Sequence, residues 1–490
     1  MVVSAQHLAS EVGRDVLERG GNAIDAAIAV GYALAVVQPC CGNIGGGGFM
    51  LIRMHDGRER FIDFREEAPL RATRDMYLDA RGNPVPQRSR KGWLAIAVPG
   101  TVLGLETARR EYGTMSRAAL LAPAIALARQ WHRPQLAATL AAIARGGSSA
   151  FYRGSIARAI VRASDAGGGI LSMRDFARYR VVESAPMHCE YGGYDLTVAP
   201  PPSSGGVTLC EILGIIAPYP IAQWPWHGIR ETHYVVEAER RAYADRNTYL
   251  GDPAFVRNPI GELLSPGYLA RLRSSIDAVR ATPSTAIHPG AGAIAREHAD
   301  TTHYSIVDAH GNAVAVTYTL NDYFGAGVEA DGVIMNDEMD DFTSKPGTPN
   351  MYGLVQGEAN EIAPGKRPLS SMTPTIVTKD GELFMVTGSP GGGRIITIVA
   401  ETILNVLDYR MNVAQAVDAP RIHMQWLPDE IQCEPGALTP TVASALRADG
   451  YALREFGSWG SAQAIVVDPR THLLEGGSDA RTPQGSASGY

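Results

Sequence analysis

Cysteine is scarce in this chain of 490 residues: five stand at positions 40, 41, 189, 210 and 433, with no C-x-x-C spacing. That excludes a zinc ribbon or a thioredoxin-like motif, and an odd count containing an adjacent pair argues against a disulfide framework. Long hydrophobic runs are missing as well. The longest, Ala26 to Val37, falls short of the ~20 residues that cross a bilayer and follows Asp25, so a buried helix is expected and no membrane span. Blocks of Lys and Arg are absent, and 44 basic against 51 acidic residues gives a net charge of −7. A nucleic-acid partner or an anionic surface therefore has nothing to rest on. No basic stretch followed by an apolar core opens the chain, so no secretory signal is expected; MVVSAQHLASEVGRDVLERGG reads directly as amphipathic helix.

What is present is the balance of a folded enzyme-sized body. Hydrophobic residues make up 45% and charged residues 19%, so a large core is available and wholesale disorder is excluded. Glycine (53) and proline (31) exceed average usage, which predicts many turns and close backbone approaches. Two helices are expected around the break Gly20-Gly21-Asn22. The run GNIGGGG (42–48) leads into FMLIRM, a turn at His55-Asp56-Gly57, and ERFIDF. Glycines that open a strand instead of a helix do not make a dinucleotide fingerprint. Pro99 to Arg180 reads as an Ala-rich helical layer, and 281–300 as a small-residue linker. Beyond it TTHYSIVDAHGNAVAVTYTL (301–320) is a hairpin; a two-residue turn at His310-Gly311 sets Thr319 opposite Thr302 and beside Thr301. Helix is expected again from Ile395 to about Asp408.

Five elements can carry chemistry. A threonine hydroxyl needs a base, and a chain-terminal α-amine supplies one; Thr301, at a strand start after a linker, fits if cleavage exposes it. TGSPGGGR (387–394) is a strand–turn–helix junction that can aim backbone N–H groups at an oxyanion, and it lacks the phosphate-loop pattern. RPLSSM (367–372) offers adjacent hydroxyls. NDEMDDF (336–342) has no histidine at ligand spacing, leaving a solvated acidic turn or an amine-recognising patch. DFREEAP (63–69) sets Arg65 among acids, as a salt-bridged strand end or a carboxylate fork.

Together these motifs, with ASEVGRDVLERGGNAIDAAIAVGYALAVVQP (9–39), PPPSSGG, AYADRNTYLGDP (242–253) and the final GY, resemble the γ-glutamyltransferase family of N-terminal nucleophile hydrolases over nearly the whole chain. The resemblance implies an α+β, four-layer αββα sandwich built from two interleaved subunits of one precursor. Residues 1–300 would form the large subunit, with 281–300 a mobile linker, and 301–490 the small one. Cleavage would fall between Asp300 and Thr301. It implies Thr301 as nucleophile, Thr319 as its support, and Gly391 and Gly392 as the oxyanion hole. Arg65, Ser370 and Ser371 would clamp the substrate α-carboxylate, and Asn321, Glu338 and Asp341 its α-ammonium. Residues 345–372 would be a lid with Tyr352 as the gating aromatic. Expected partners are glutathione and other γ-glutamyl compounds with amino-acid or peptide acceptors, and no cofactor or metal. A periplasmic or extracellular place is what family members suggest, although no signal peptide opens this chain. The chain is shortened near 129–134, and Asp300 and the SDAR run (478–481) depart from the usual pattern. Two alternatives are a glutaryl-cephalosporin acylase on the same scaffold and an uncleaved glutamyl-peptide binding protein.

Overall fold

Strand periodicity in this chain produces two sheets packed face to face, each strand sending alternate side chains to opposite layers. A computed structural model describes residues 1–287 and 301–490. The first sheet runs Ser486–Ser488, Val2–Ser4, Thr301–Val307, Ala313–Thr319, Gly47–Arg53, Glu59–Asp63, Val182–Ser184. The second runs Leu474–Ser478, Gln463–Val467, Glu382–Gly388, Thr375–Lys379, Tyr194–Val198, Met187–Tyr191. Both of these sheets join strands from before and after Thr301, so the two parts of the chain share them.

Along Gly47–Arg53, Phe49 and Leu51 face the second sheet while Met50 and Ile52 face the helices outside the first. Those helices include His7–Glu18, Ala23–Val37, Thr101–Tyr112 and Arg117–Gln130. Ala23–Val37 is buried on every side, which its uniformly apolar sequence requires. Asn22 starts it by accepting from the Asp25 N–H, and the Asp25 carboxylate answers at the Asn22 N–H. Outside the second sheet lie Gly205–Ile216, Ile229–Tyr249 and Ile395–Leu407. The result is the αββα sandwich. No helix among the described residues is long and apolar enough to cross a membrane.

Several expectations need correction. The N-terminus does not enter a helix directly: Val2–Ser4 first adds a strand beside Thr301–Val307, because a buried VVS run fits a ladder. The hairpin turn holds three residues. Asp308 accepts from the His310 and Asn312 N–H groups, and Gly311 sits at φ 84°, which moves the register so that Thr301 faces Thr319 directly. Disulfide bonding, unexpected from the cysteine count, joins Cys189 on a strand to Cys210 on the helix that packs over it, with Cα atoms 5.9 Å apart. The adjacent Cys40 and Cys41 are paired as well. Spacing could not reveal the first pair, since a Pro-rich loop returns the chain between them. The first part of the supposed linker is docked: Ala281 N–H donates to Asp449 O, and buried Ser284 donates to Trp426 O. Its remainder, 288–300, including Asp300, lies outside the described residues.

Candidate active site

The glycine run before Gly47–Arg53 lets this strand start directly against the end of Ala313–Thr319. A Cβ on Gly46 would collide with the Thr319 carbonyl, so a side chain there would push the two strands apart. Thr301 begins the neighbouring strand, buried, and its hydroxyl donates to Thr319 Oγ1 over 3.1 Å. Thr319 Oγ1 also accepts from the Asn321 N–H at 2.8 Å. The threonine pair is thus fixed from both sides. His303, two residues along, is no base for it: its ring nitrogens are engaged with Thr317 at 2.7 Å and Ser305 at 3.1 Å, and burial pushes its pKa down to about 3.

Around this pair closes a small cavity of 20 Å³ lined by ten of the expected residues: Arg65, Thr301, Thr319, Asn321, Glu338, Asp341, Tyr352, Ser370, Ser371 and Gly392. Gly391 directly precedes Gly392, at φ 147° and 53°, where the chain turns into helix Ile395–Leu407. A side chain at Gly392 would strike the Tyr352 ring, so glycine lets the 345–372 segment pack against the turn. The Tyr352 hydroxyl donates to Asn321, 2.6 Å from its side-chain oxygen, and Gln425 donates to the Tyr352 carbonyl at 3.0 Å.

The acidic turn is not solvated. Glu338–Asp341 is one 3₁₀ turn with every carboxylate residue buried. Arg65, 0% exposed, pairs with Glu338, with Asp341 at 2.5 Å and with Glu66 at 3.6 Å. The cation and the carboxylates therefore face one another, because dry charges pair with whatever counter-charge is present. Burial disfavours the Arg65 charge, but Glu338, Asp341 and Glu66 outweigh it and hold its pKa above the ordinary value. Burial drives the Glu338 carboxyl well up against the pull of Arg65, and pushes Glu66 up to about 7. Glu338 Oε2 has no hydrogen-bond partner among the described residues, leaving an acceptor free for an incoming cation.

Residues that sequence reasoning missed complete the wall. Arg246 reaches Ser371 Oγ at 2.8 Å from helix Ile229–Tyr249, where a charge amid helical sequence reads as a solvated face. Asp340 ties the lid to the acidic turn by accepting the Met351 N–H at 3.0 Å, and it also accepts from Ser89 at 2.5 Å. On the far side of Thr301 lies an open groove of 940 Å³ with Gln38, Tyr323, Arg394, Phe456 and Arg481 in its walls.

With this geometry in view, comparison with known proteins gives a consistent answer. The profile described as Gamma-glutamyltranspeptidase matches residues 9–130 and 129–489, its two segments meeting where the chain is shortened. The chain is 48% identical to the glutathione hydrolase proenzyme of Pseudomonas sp. (strain A14), covering 100% of this chain and 94% of that protein. It is 44% identical to the glutathione hydrolase proenzyme of Escherichia coli (strain K12), covering 100% and 92%. Among solved structures, cephalosporin acylase from Bacillus halodurans superposes with a TM-score of 0.86 at 27% identity, covering 100% of this chain and 95% of that one. Match length, relatives and fold agree that the chain belongs to the gamma-glutamyltranspeptidase family.

Proposed function

We propose that the chain is a precursor that cuts itself between Asp300 and Thr301, and that Thr301 then carries γ-glutamyl groups from glutathione and related amides to water, amino acids or peptides. In the first step the Thr301 hydroxyl attacks the Asp300 carbonyl, the acyl group passes from nitrogen to oxygen, and water hydrolyses the ester. Residues 1–300 become the large subunit and 301–490 the small one. The freed α-amine of Thr301 supplies the base that an internal threonine lacks. Attack on the γ-carbonyl then gives a glutamyl ester and releases the amine; Gly391 and Gly392 donate to the oxyanion at the positive end of the following helix. Water or an acceptor amine resolves the ester.

One observation carries this reading: a single small pocket holds the threonine pair beside donors for an anion and carboxylates for a cation. A γ-glutamyl head is a zwitterion of matching signs. On entry its ammonium takes over Glu338 and Asp341, and its carboxylate takes Arg65 with Ser370 and Ser371. Such an exchange replaces one set of charge-assisted hydrogen bonds with another and leaves few buried charges unpaired. Acceptors approach from the open groove.

The likeness to an acylase favours glutaryl amides as the second reading. Denaturing electrophoresis with N-terminal sequencing of the smaller fragment checks cleavage before Thr301. Competition between a γ-glutamyl anilide and a glutaryl anilide then separates the two readings. Faster turnover of the glutaryl compound, which lacks the ammonium, would remove the proposed role of Asn321, Glu338 and Asp341.

A further inference from the structure

Five buried arginines, Arg65, Arg240, Arg241, Arg367 and Arg421, each meet a carboxylate. Arg246 does not. It is 1% exposed and its guanidinium donates to three neutral oxygens: Nε to Ser204 Oγ at 2.8 Å, Nη1 to Asn247 Oδ1 at 2.7 Å, and Nη2 to Ser371 Oγ at 2.8 Å. No carboxylate among the described residues lies within ion-pair distance of it. Burial pushes its pKa down to about 10, with Tyr243 and Asp341 opposing and Arg65 adding to the fall. A dry cation without a counter-ion is costly, and a protein that keeps one at the wall of a substrate pocket has a use for its field.

The hydrogen-bond pattern says what that use is. A serine hydroxyl has one proton to give. Since Ser371 Oγ already accepts from Arg246, its own proton is left to be donated into the pocket. Ser204 is fixed by the same guanidinium and donates to the Ser370 carbonyl at 2.6 Å, while the Ser204 N–H donates to that carbonyl at 2.8 Å. Arg246 therefore holds the 370–371 turn from behind at two points.

We propose that Arg246 is the positioning residue of the carboxylate subsite: it occupies one acceptor position of Ser371, leaving that hydroxyl's proton for the pocket, and supplies, one hydroxyl removed from the substrate, a positive charge that selects donors bearing an α-carboxylate. This rests on the glutamyl-transfer reading above, and it adds a selector that does not touch the substrate.

The test compares γ-glutamyl-p-nitroanilide with 4-aminobutanoyl-p-nitroanilide, the same amine without the carboxylate, on wild type, Arg246→Gln, Arg246→Lys and Ser371→Ala. Self-cleavage serves as the check that each variant has folded. For Arg246→Gln the KM of the γ-glutamyl substrate rises about tenfold, as expected for loss of one charge-assisted contact, while kcat and the 4-aminobutanoyl rates stay nearly constant. Discrimination between the two substrates falls by the same factor, and Arg246→Lys restores part of it. Adding Ser371→Ala to Arg246→Gln costs less than twofold further, because both lie on one line of interaction. Equal losses on both substrates, or effects that multiply in the double variant, would overturn the proposal. If Arg246→Gln fails to cleave, Arg246→Met takes its place, and unchanged discrimination there overturns it. A wild type that does not prefer the γ-glutamyl substrate would instead sink the glutamyl-transfer reading.

Discussion

Thr301 stands between two regions of opposite character. On one side is a small cavity of 20 Å³ with Tyr352 in its wall, lined by the buried ion pairs of Arg65 with Glu338 and Asp341 and by Arg246, which meets no carboxylate among the described residues. On the other is a groove of 940 Å³ whose lining holds Arg394, Arg481 and aromatic rings and, among the described residues, no carboxylate. The side with buried charges can reject a molecule that lacks one charge, because an unmet buried ion costs far more than an exposed one. The groove has no such leverage and tolerates many shapes. On the proposed reading, the molecule is strict about the group it accepts and lenient about where that group goes. The sharpest way to break the comparison is to remove what joins both sides. Thr301→Ala should leave the chain uncut and lower anilide turnover by at least ~10³-fold, since no other hydroxyl takes the place of a lost nucleophile. Electrophoresis and absorbance at saturating substrate read both effects.

Within the strict side, Glu338→Gln should cost about a hundredfold in kcat/KM for a γ-glutamyl anilide and much less for a glutaryl anilide, as loss of a buried partner to the ammonium requires. The same carboxyls set the pH response. Glu338 is driven well up by burial and Glu66 is pushed up to about 7, so both hold protons at pH values where ordinary carboxylates have lost them. Ammonium binding needs the ionised form, so kcat/KM should rise with pH across a limb lying above the usual ~4.3 of glutamate. Stability moves the other way. A folded-state pKa raised above the unfolded value contributes stability that is present below the unfolded pKa and is lost as pH rises through the folded one. Between about 4.5 and about 7 the empty enzyme should therefore gain activity while its melting temperature declines. Glu66→Gln should flatten the decline. Melting curves and initial rates in the same buffers check the opposed slopes, and parallel slopes would remove these carboxyls from control.

Much of this site was legible in the sequence, and the exceptions have physical causes. Thr301, Thr319, Glu338, Asp341, Ser370 and Ser371 stand in short motifs that by residue type alone read as strand threonines, an acidic turn and a polar loop; the family resemblance singled them out, and all of them line one cavity. The sandwich was implied by the family resemblance alone; the alternating runs and Ala-rich stretches gave only the strands and helices that compose it. The hairpin register was not legible, because it turns on Asp308 capping a three-residue loop instead of a two-residue one. Arg246 escaped because helical sequence gives no sign that a charged position faces a second sheet and its loops instead of water. The Cys189–Cys210 bond escaped because it depends on where a proline-rich loop returns the chain. The carboxylates of the acidic turn were legible as residues and misleading as an environment. Nothing in NDEMDDF states that Arg65 arrives from 273 residues away to bury them.

The lenient side should yield the smallest effect, and that smallness is itself informative. Phe456 is half-buried in the groove wall, with the Arg394 guanidinium 4.9 Å from its ring centre and that of Arg454 at 4.4 Å. Phe456→Ala removes one face of the groove proposed to receive acceptors and loosens two cation–π neighbours, each worth ~0.5–1 kcal/mol at an exposed site. Hydrolysis of a γ-glutamyl anilide by water needs neither, so its kcat/KM should stay within about twofold of wild type. Transfer to a dipeptide acceptor should show a KM raised only about threefold to fivefold. A fall in hydrolysis as large as that for Glu338→Gln would mean that the groove grips the donor too, and the division of labour at Thr301 would fail. A shift confined to the acceptor would place strictness and tolerance on opposite sides of a single hydroxyl.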